Sequence, residues 1–149
     1  MELQPPRGTA DLLPPASDAM LGLYEAAHRA ARLFGFRYTI EVYTPGHKRT
    51  HGYYTLPIFH DGQLIGRIDP KIHRAERRLE IKGVHFEPWF ARGAEPPAAG
   101  WGRLDRDAAL AGLADTLRSL ATFVAADPEA ITLGSVAPAS LRAPLKRRL

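Results

Sequence analysis

From residue 18 to residue 34 the apolar positions Met20, Leu23, Tyr24, Ala27, Ala31 and Phe34 recur at helical spacing, which predicts an amphipathic helix. Ser17 stands where an N-cap belongs, Asp18 suits the first turn, and Gly35 reads as the stop. At Phe36 the period falls to two. Tyr38, Ile40 and Val42 alternate with Arg37, Thr39 and Glu41, the pattern of a half-buried strand. Residues 44–51 read as a loop and residues 52–59 as a second strand whose Pro57 needs an edge or a bulge. His60-Asp61-Gly62 predicts a hairpin turn, Leu64–Ile68 a third strand, residues 72–76 a turn and Arg78–Phe86 a fourth strand. In that last strand Leu79 and Ile81 face one way, and Arg78, Glu80 and Lys82 the other.

Pro88, Pro96, Pro97, Gly100 and Gly102 break up residues 87–104, a long loop whose Trp89, Phe90 and Trp101 are expected to pack back onto the sheet. Asp105 then caps an amphipathic helix with Leu110, Leu113, Leu117, Leu120 and Val124 as its buried stripe. Ala130–Leu133 predicts a short closing strand, and Pro138–Leu149 a helical turn or two interrupted at Pro144. This order predicts an α+β fold: an N-terminal helix, a curved antiparallel β-meander or small barrel, and a C-terminal amphipathic helix. Residues 1–16 are a Pro-rich lead-in and residues 17–149 a single domain.

Composition narrows the functional classes. The chain of 149 residues has no cysteine, which excludes disulfides and thiolate metal sites. No signal-peptide pattern opens it and no apolar run is long enough to span a membrane, so the expected location is cytoplasmic. Net charge is +4, and residues 44–83 hold eight Lys/Arg against four acids. Lys146-Arg147-Arg148 adds a second basic spot. Such a surface suits a polyanion.

The chemistry-bearing stretch is the basic loop and the strand after it. Lys48 and Arg49 sit at a strand-to-strand junction, where a charged tip can reach a phosphate backbone. Tyr53 and Tyr54 are adjacent in a strand and face opposite ways, so at most one, taken here as Tyr53, can meet a base or sugar. Arg67 and Lys71 share a face with Asp69, opposite Arg78, Glu80 and Lys82. A cross-strand ion-pair ladder accounts for Asp69 and Glu80 and leaves Arg67 and Lys71 as secondary DNA contacts. The plain alternative for the loop is a solvated turn leading into a core strand. His47 and His51 lack a third ligand at useful spacing, so no metal is expected, and no cofactor motif appears. No nucleophile or acid–base pair stands out; Asp105/Asp107 and Glu41/Glu87 do not make one.

Arg32-Leu33-Phe34-Gly35-Phe36-Arg37-Tyr38, Ile40-Glu41-Val42-Tyr43-Thr44-Pro45, Lys48-Arg49, His51-Gly52-Tyr53-Tyr54-Thr55-Leu56-Pro57 and Gly66-Arg67-Ile68-Asp69-Pro70-Lys71 occur in that order. With Val136-Ala137-Pro138 and Leu141-Arg142, they make residues from about 33 to the end resemble the C-terminal domain of the winged-helix DNA glycosylases that repair interstrand crosslinks, the YcaQ-like family. The resemblance implies a β-rich domain that helps grip DNA, here with the tandem winged helices missing. That family's chemistry uses a Gln-x-Asp or Gln-x-Gln motif. The two glutamines here, Gln4 and Gln63, are followed two positions on by Pro6 and Ile65, so no glycosylase activity is expected of the chain alone. Separately, Pro6-Arg7-Gly8-Thr9-Ala10-Asp11-Leu12-Leu13-Pro14, followed by a helix and Phe34-Gly35-Phe36-Arg37, resembles the start of a class II histidyl-tRNA synthetase. The later ATP- and histidine-binding motifs of that family are absent.

The expectation is thus a stand-alone, noncatalytic DNA-binding accessory domain. It would contact duplex backbone, with weak sequence preference, through Lys48, Arg49, Tyr53, Arg67 and Lys71. The alternatives are a protein-interaction or structural fragment docking onto separate winged-helix partners, or a tRNA-associated fragment.

Overall fold

Two residues reverse the chain at Asp61-Gly62, and both have positive φ, 47° and 78°. That is the backbone of a type I′ turn, whose twist matches the strands it joins. It links β1 (Leu56–His60) to β2 (Gln63–His73) in an antiparallel hairpin. The tight turn Arg74–Arg77, closed by Arg77 N–H donating to the Arg74 carbonyl at 3.2 Å, returns the chain as β3 (Arg78–Phe86), again antiparallel. The structure is a computed structural model that describes residues 29, 31–33, 35–37, 41, 45–52, 55–97 and 104–149.

β2 runs five residues past the expected Ile68 end, through Pro70. A proline has no N–H for a ladder, and this inner strand accommodates it because the register shifts between Asp69 and Pro70. Pro57 lies exposed on the edge strand β1, as expected. After β3, Pro88 starts a four-residue helix, α1 (Pro88–Ala91), inside the expected loop, and it buries Trp89 and Phe90. Trp101 lies outside the described residues. Asp105 caps α2 (Arg106–Phe123), its carboxylate accepting from Ala108 N–H at 3.1 Å.

The last strand, β4 (Ile131–Ala137), corrects two expectations. It pairs parallel to β3, so the sheet is mixed and not an antiparallel meander. The strand order is β1-β2-β3-β4, and the sheet is open and not a barrel. A parallel neighbour needs a crossover, and α2 supplies it. Crossing above one face, α2 lays Leu110, Leu113, Leu117 and Ala121 onto Ile58, Ile68, Leu79, Ile81, Val84, Phe86 and Val136. Leu120 and Val124 complete the predicted stripe from its half-buried margin. The C-terminal α3 (Arg142–Lys146) adds Leu145 to that core. Pro144 does not interrupt it, because it sits in the first turn, where amide donors have no helical partner anyway.

Of the expected N-terminal helix, residues 29 and 31–33 are described and helical. Gly35 N–H closes its end on the Ala31 carbonyl at 3.1 Å. Ser17 and the rest of that helix lie outside the described residues. Phe36, Arg37 and Glu41 are not in a strand, contrary to the expectation for residues 36–42, whose other positions are not described.

The face of the sheet away from α2 carries Arg67, Asp69, Lys71 and His73 from β2, Arg78, Glu80 and His85 from β3, and Thr132 and Ser135 from β4. One end of it lies under the segment that contains Phe36, Glu41 and residues 45–52.

Candidate nucleic-acid interface

The basic loop is built around one carboxylate. Glu41 is only 7% exposed. Its Oε1 accepts Thr50 N–H at 2.8 Å, and its Oε2 accepts His51 N–H at 2.7 Å and Gly52 N–H at 3.0 Å. Its backbone carbonyl takes Arg49 Nε at 3.2 Å. Burial pushes this carboxyl up, but the three backbone N–H donors outweigh burial and hold it below the usual carboxylate range. Upstream, a 3₁₀ turn at Gly46–Lys48 is closed by Lys48 N–H on the Pro45 carbonyl at 2.9 Å, which leaves Lys48 exposed at the tip.

The far end of the loop is fixed by shape. Gly52 has φ +133°, and a Cβ there would stand 2.2 Å from Asp69 Oδ2. Only glycine lets this backbone lie against the strand. Asp69 itself is 9% exposed, and burial raises its carboxyl pKa despite the opposing charges of Lys82, His85 and Arg49.

Beneath the loop His51 meets His85 edge to face, with ring centroids 5.0 Å apart. Burial, then the positive charge of Arg67, pulls both imidazoles below their ordinary pKa; Glu41 opposes this in each case. Arg67 is 5% exposed. Its Nη2 donates to Glu87 Oε1 at 3.0 Å, and its guanidinium carbon lies 4.4 Å from the centre of the Phe36 ring.

These placements sort the residues singled out in the sequence. Lys48 and Lys71 are exposed, and Arg49 is half-buried against its own loop. Arg67 is committed inside, to Glu87 and Phe36. Tyr53 and Tyr54 lie outside the described residues. The ion-pair ladder takes a different form from the one expected. Lys71 is in register with Glu80, yet Glu80 pairs with His73 at 2.6 Å, and that hydrogen bond lowers the Glu80 pKa. Arg78 turns to Glu76 at 2.9 Å and to the Thr132 hydroxyl at 3.0 Å. Lys82, placed at the register shift of β3, is exposed.

Sequence reading missed the supporting groups. Glu41 falls on the polar side of an expected strand, where a carboxylate looks solvated, and its partners are nine to eleven residues away. Glu87 follows a strand by one residue and meets Arg67 twenty residues earlier. The one usable signal was register: with Gly66 opposite Phe86, Arg67 faces His85, and Glu87, bonded across to Ile65, stands diagonal to Arg67 on the same face.

The site therefore has lysines outside and, beneath them, a buried arginine and two imidazoles whose protonation burial disfavours. Among the described residues no group of three or more His, Cys, Asp or Glu side chains is placed to hold a metal ion. Nor is any described helix long and apolar enough to cross a membrane.

The described residues thus form an α+β domain that exposes lysines on a pinned basic loop and on an open sheet. Residues 2–123 match the family described as DNA glycosylase AlkZ-like, and the chain belongs to that family. The match reaches further toward the N-terminus than the motifs quoted above. It takes in the stretch that resembles the synthetase and stops before Val136–Arg142. No solved structure matches the chain.

Proposed function

We infer that the chain is a noncatalytic, DNA-gripping domain of an AlkZ-like DNA glycosylase, and that it holds duplex backbone between its basic loop and the open face of its sheet. The observation that carries this reading is the exposed Lys48 tip on a loop whose amides are bonded down at Glu41, beside a sheet face that presents Lys71 and Lys82. Lys48, Lys71, Lys82 and Arg49 would meet phosphates as charges. Arg67 works one layer deeper, as the support of that surface, and Tyr53 stays a candidate base or sugar contact. Phosphate contacts set position without reading sequence, so discrimination between duplexes is expected to be weak.

Gln63 supports the noncatalytic part. A glutamine that positions water must face substrate, and Gln63 is fully buried with neither amide atom hydrogen-bonded. The rival reading, docking onto a separate winged-helix protein, asks for an apolar patch on the sheet. Among the described residues, the exposed large apolar side chains Leu33, Phe59 and Phe123 sit on three different segments, and the uncovered sheet face carries charge.

The test is fluorescence anisotropy with a labelled duplex over a salt series, with tRNA as competitor. Log affinity should fall linearly with log salt, at a slope of about −0.9 per phosphate contact. Lys48→Ala with Arg49→Ala should weaken it and flatten the slope by about two contacts. Unchanged affinity in that double variant sinks the loop's role, and preference for tRNA over duplex moves the reading to the synthetase resemblance. Incubation with crosslinked or alkylated duplex should release no base.

A further inference from the structure

Resting on that reading, we propose that Glu41 is the positioning residue of the DNA-contacting loop: its negative charge strengthens binding to a polyanion. Three consecutive amides, those of Thr50, His51 and Gly52, converge on its two carboxylate oxygens at 2.7–3.0 Å. Successive N–H groups that converge in this way form an anion-binding concavity. Here the anion is the chain's own, and it is buried. The same residue's carbonyl takes Arg49 Nε. One side chain and its backbone thus fix the loop on the C-terminal side of the Lys48 tip. Gly52, seated against Asp69, fixes where that anchored segment meets the sheet. An ionised acceptor makes shorter and stronger bonds than a neutral one. Glu41 is held low enough in pKa to stay ionised at neutral pH.

Two physical effects predict opposite signs for one substitution. By long-range electrostatics alone, neutralising an acid in a basic protein tightens DNA binding. By positioning, Glu41→Gln keeps the shape, replaces one acceptor oxygen with a donor amide, removes the charge and weakens binding by about fivefold, the ratio expected when charged hydrogen bonds become neutral ones.

The experiment compares wild type, Glu41→Gln, the Lys48→Ala/Arg49→Ala variant and the triple variant in the same anisotropy titration. The expected result is weaker binding by Glu41→Gln in the wild-type background and no further loss in the variant lacking Lys48 and Arg49. A general loss of structure would penalise both backgrounds alike. Amide exchange of Thr50, His51 and Gly52 in the wild-type complex reads the same contact without any substitution, and these amides should stay protected when duplex is bound. Equal or tighter binding by Glu41→Gln overturns the proposal, as does loss of that protection on binding, or an equal penalty in both backgrounds. Wild-type protein that shows no salt-dependent binding defeats the DNA reading itself. Wild type that binds while Glu41→Gln binds as well defeats only the role of Glu41.

Discussion

His51 and His85 touch beneath the basic loop, and both are pulled below the ordinary histidine value of 6.5. A group whose folded pKa is depressed binds fewer protons folded than unfolded, so its contribution to stability is intact above 6.5 and declines as pH falls. Glu41 has the same sign but acts lower, through the carboxylate range. Asp69 has the opposite sign, because its folded pKa is raised and its contribution fades as pH rises through that value. On acidification from about pH 7.5 to 5.5 the histidine effect lowers stability, and Asp69 works against it. Thermal melts across that window should show stability falling with acidification, and a His51→Gln/His85→Gln variant should flatten the dependence. At this scale the exposure of Lys48 and Lys71 was legible from their loop and strand positions, whereas Arg67, expected outside with them, is buried. The sequence did not show Glu41 at work, because a hydrogen bond to amides in another segment leaves no periodic trace.

Elements were legible where alternation ran unbroken. β3 occupies the expected Arg78–Phe86, and Asp105 caps α2 as its place before an apolar stripe implied. The strand expected over Leu64–Ile68 ends two residues before Pro70, whereas a register shift carries the proline through β2. α1 leaves no trace in the pattern because four residues are too few to show a period. The long helix is the better place to test the packing. Leu117 is fully buried at the middle of the α2 stripe, against the sheet. Leu117→Ala should lower unfolding free energy by about 2–5 kcal/mol, measured as a shift of the urea midpoint at unchanged slope.

For the whole molecule, the helices-plus-sheet class could be read from the order of elements, but the pairing partner of the last strand could not. Ile131, Leu133 and Val136 look the same whether they join β1 and close a barrel or join β3 and leave the sheet open; the path of α2 decides, and that is a matter of three-dimensional packing. The pinned loop has a consequence for energetics as well as geometry. A mobile loop gives up backbone freedom when it meets a ligand, at about 1–2 kcal/mol per residue ordered. Residues 50–52 have already given theirs up, at Glu41 and Asp69, when the chain folds. Calorimetry on duplex binding should therefore show a small entropic penalty in wild type and a larger one in Glu41→Gln, even where the contacts finally made are the same. The folding free energy of this domain and its grip on a ligand then draw on a single store of order, so loosening the loop weakens both.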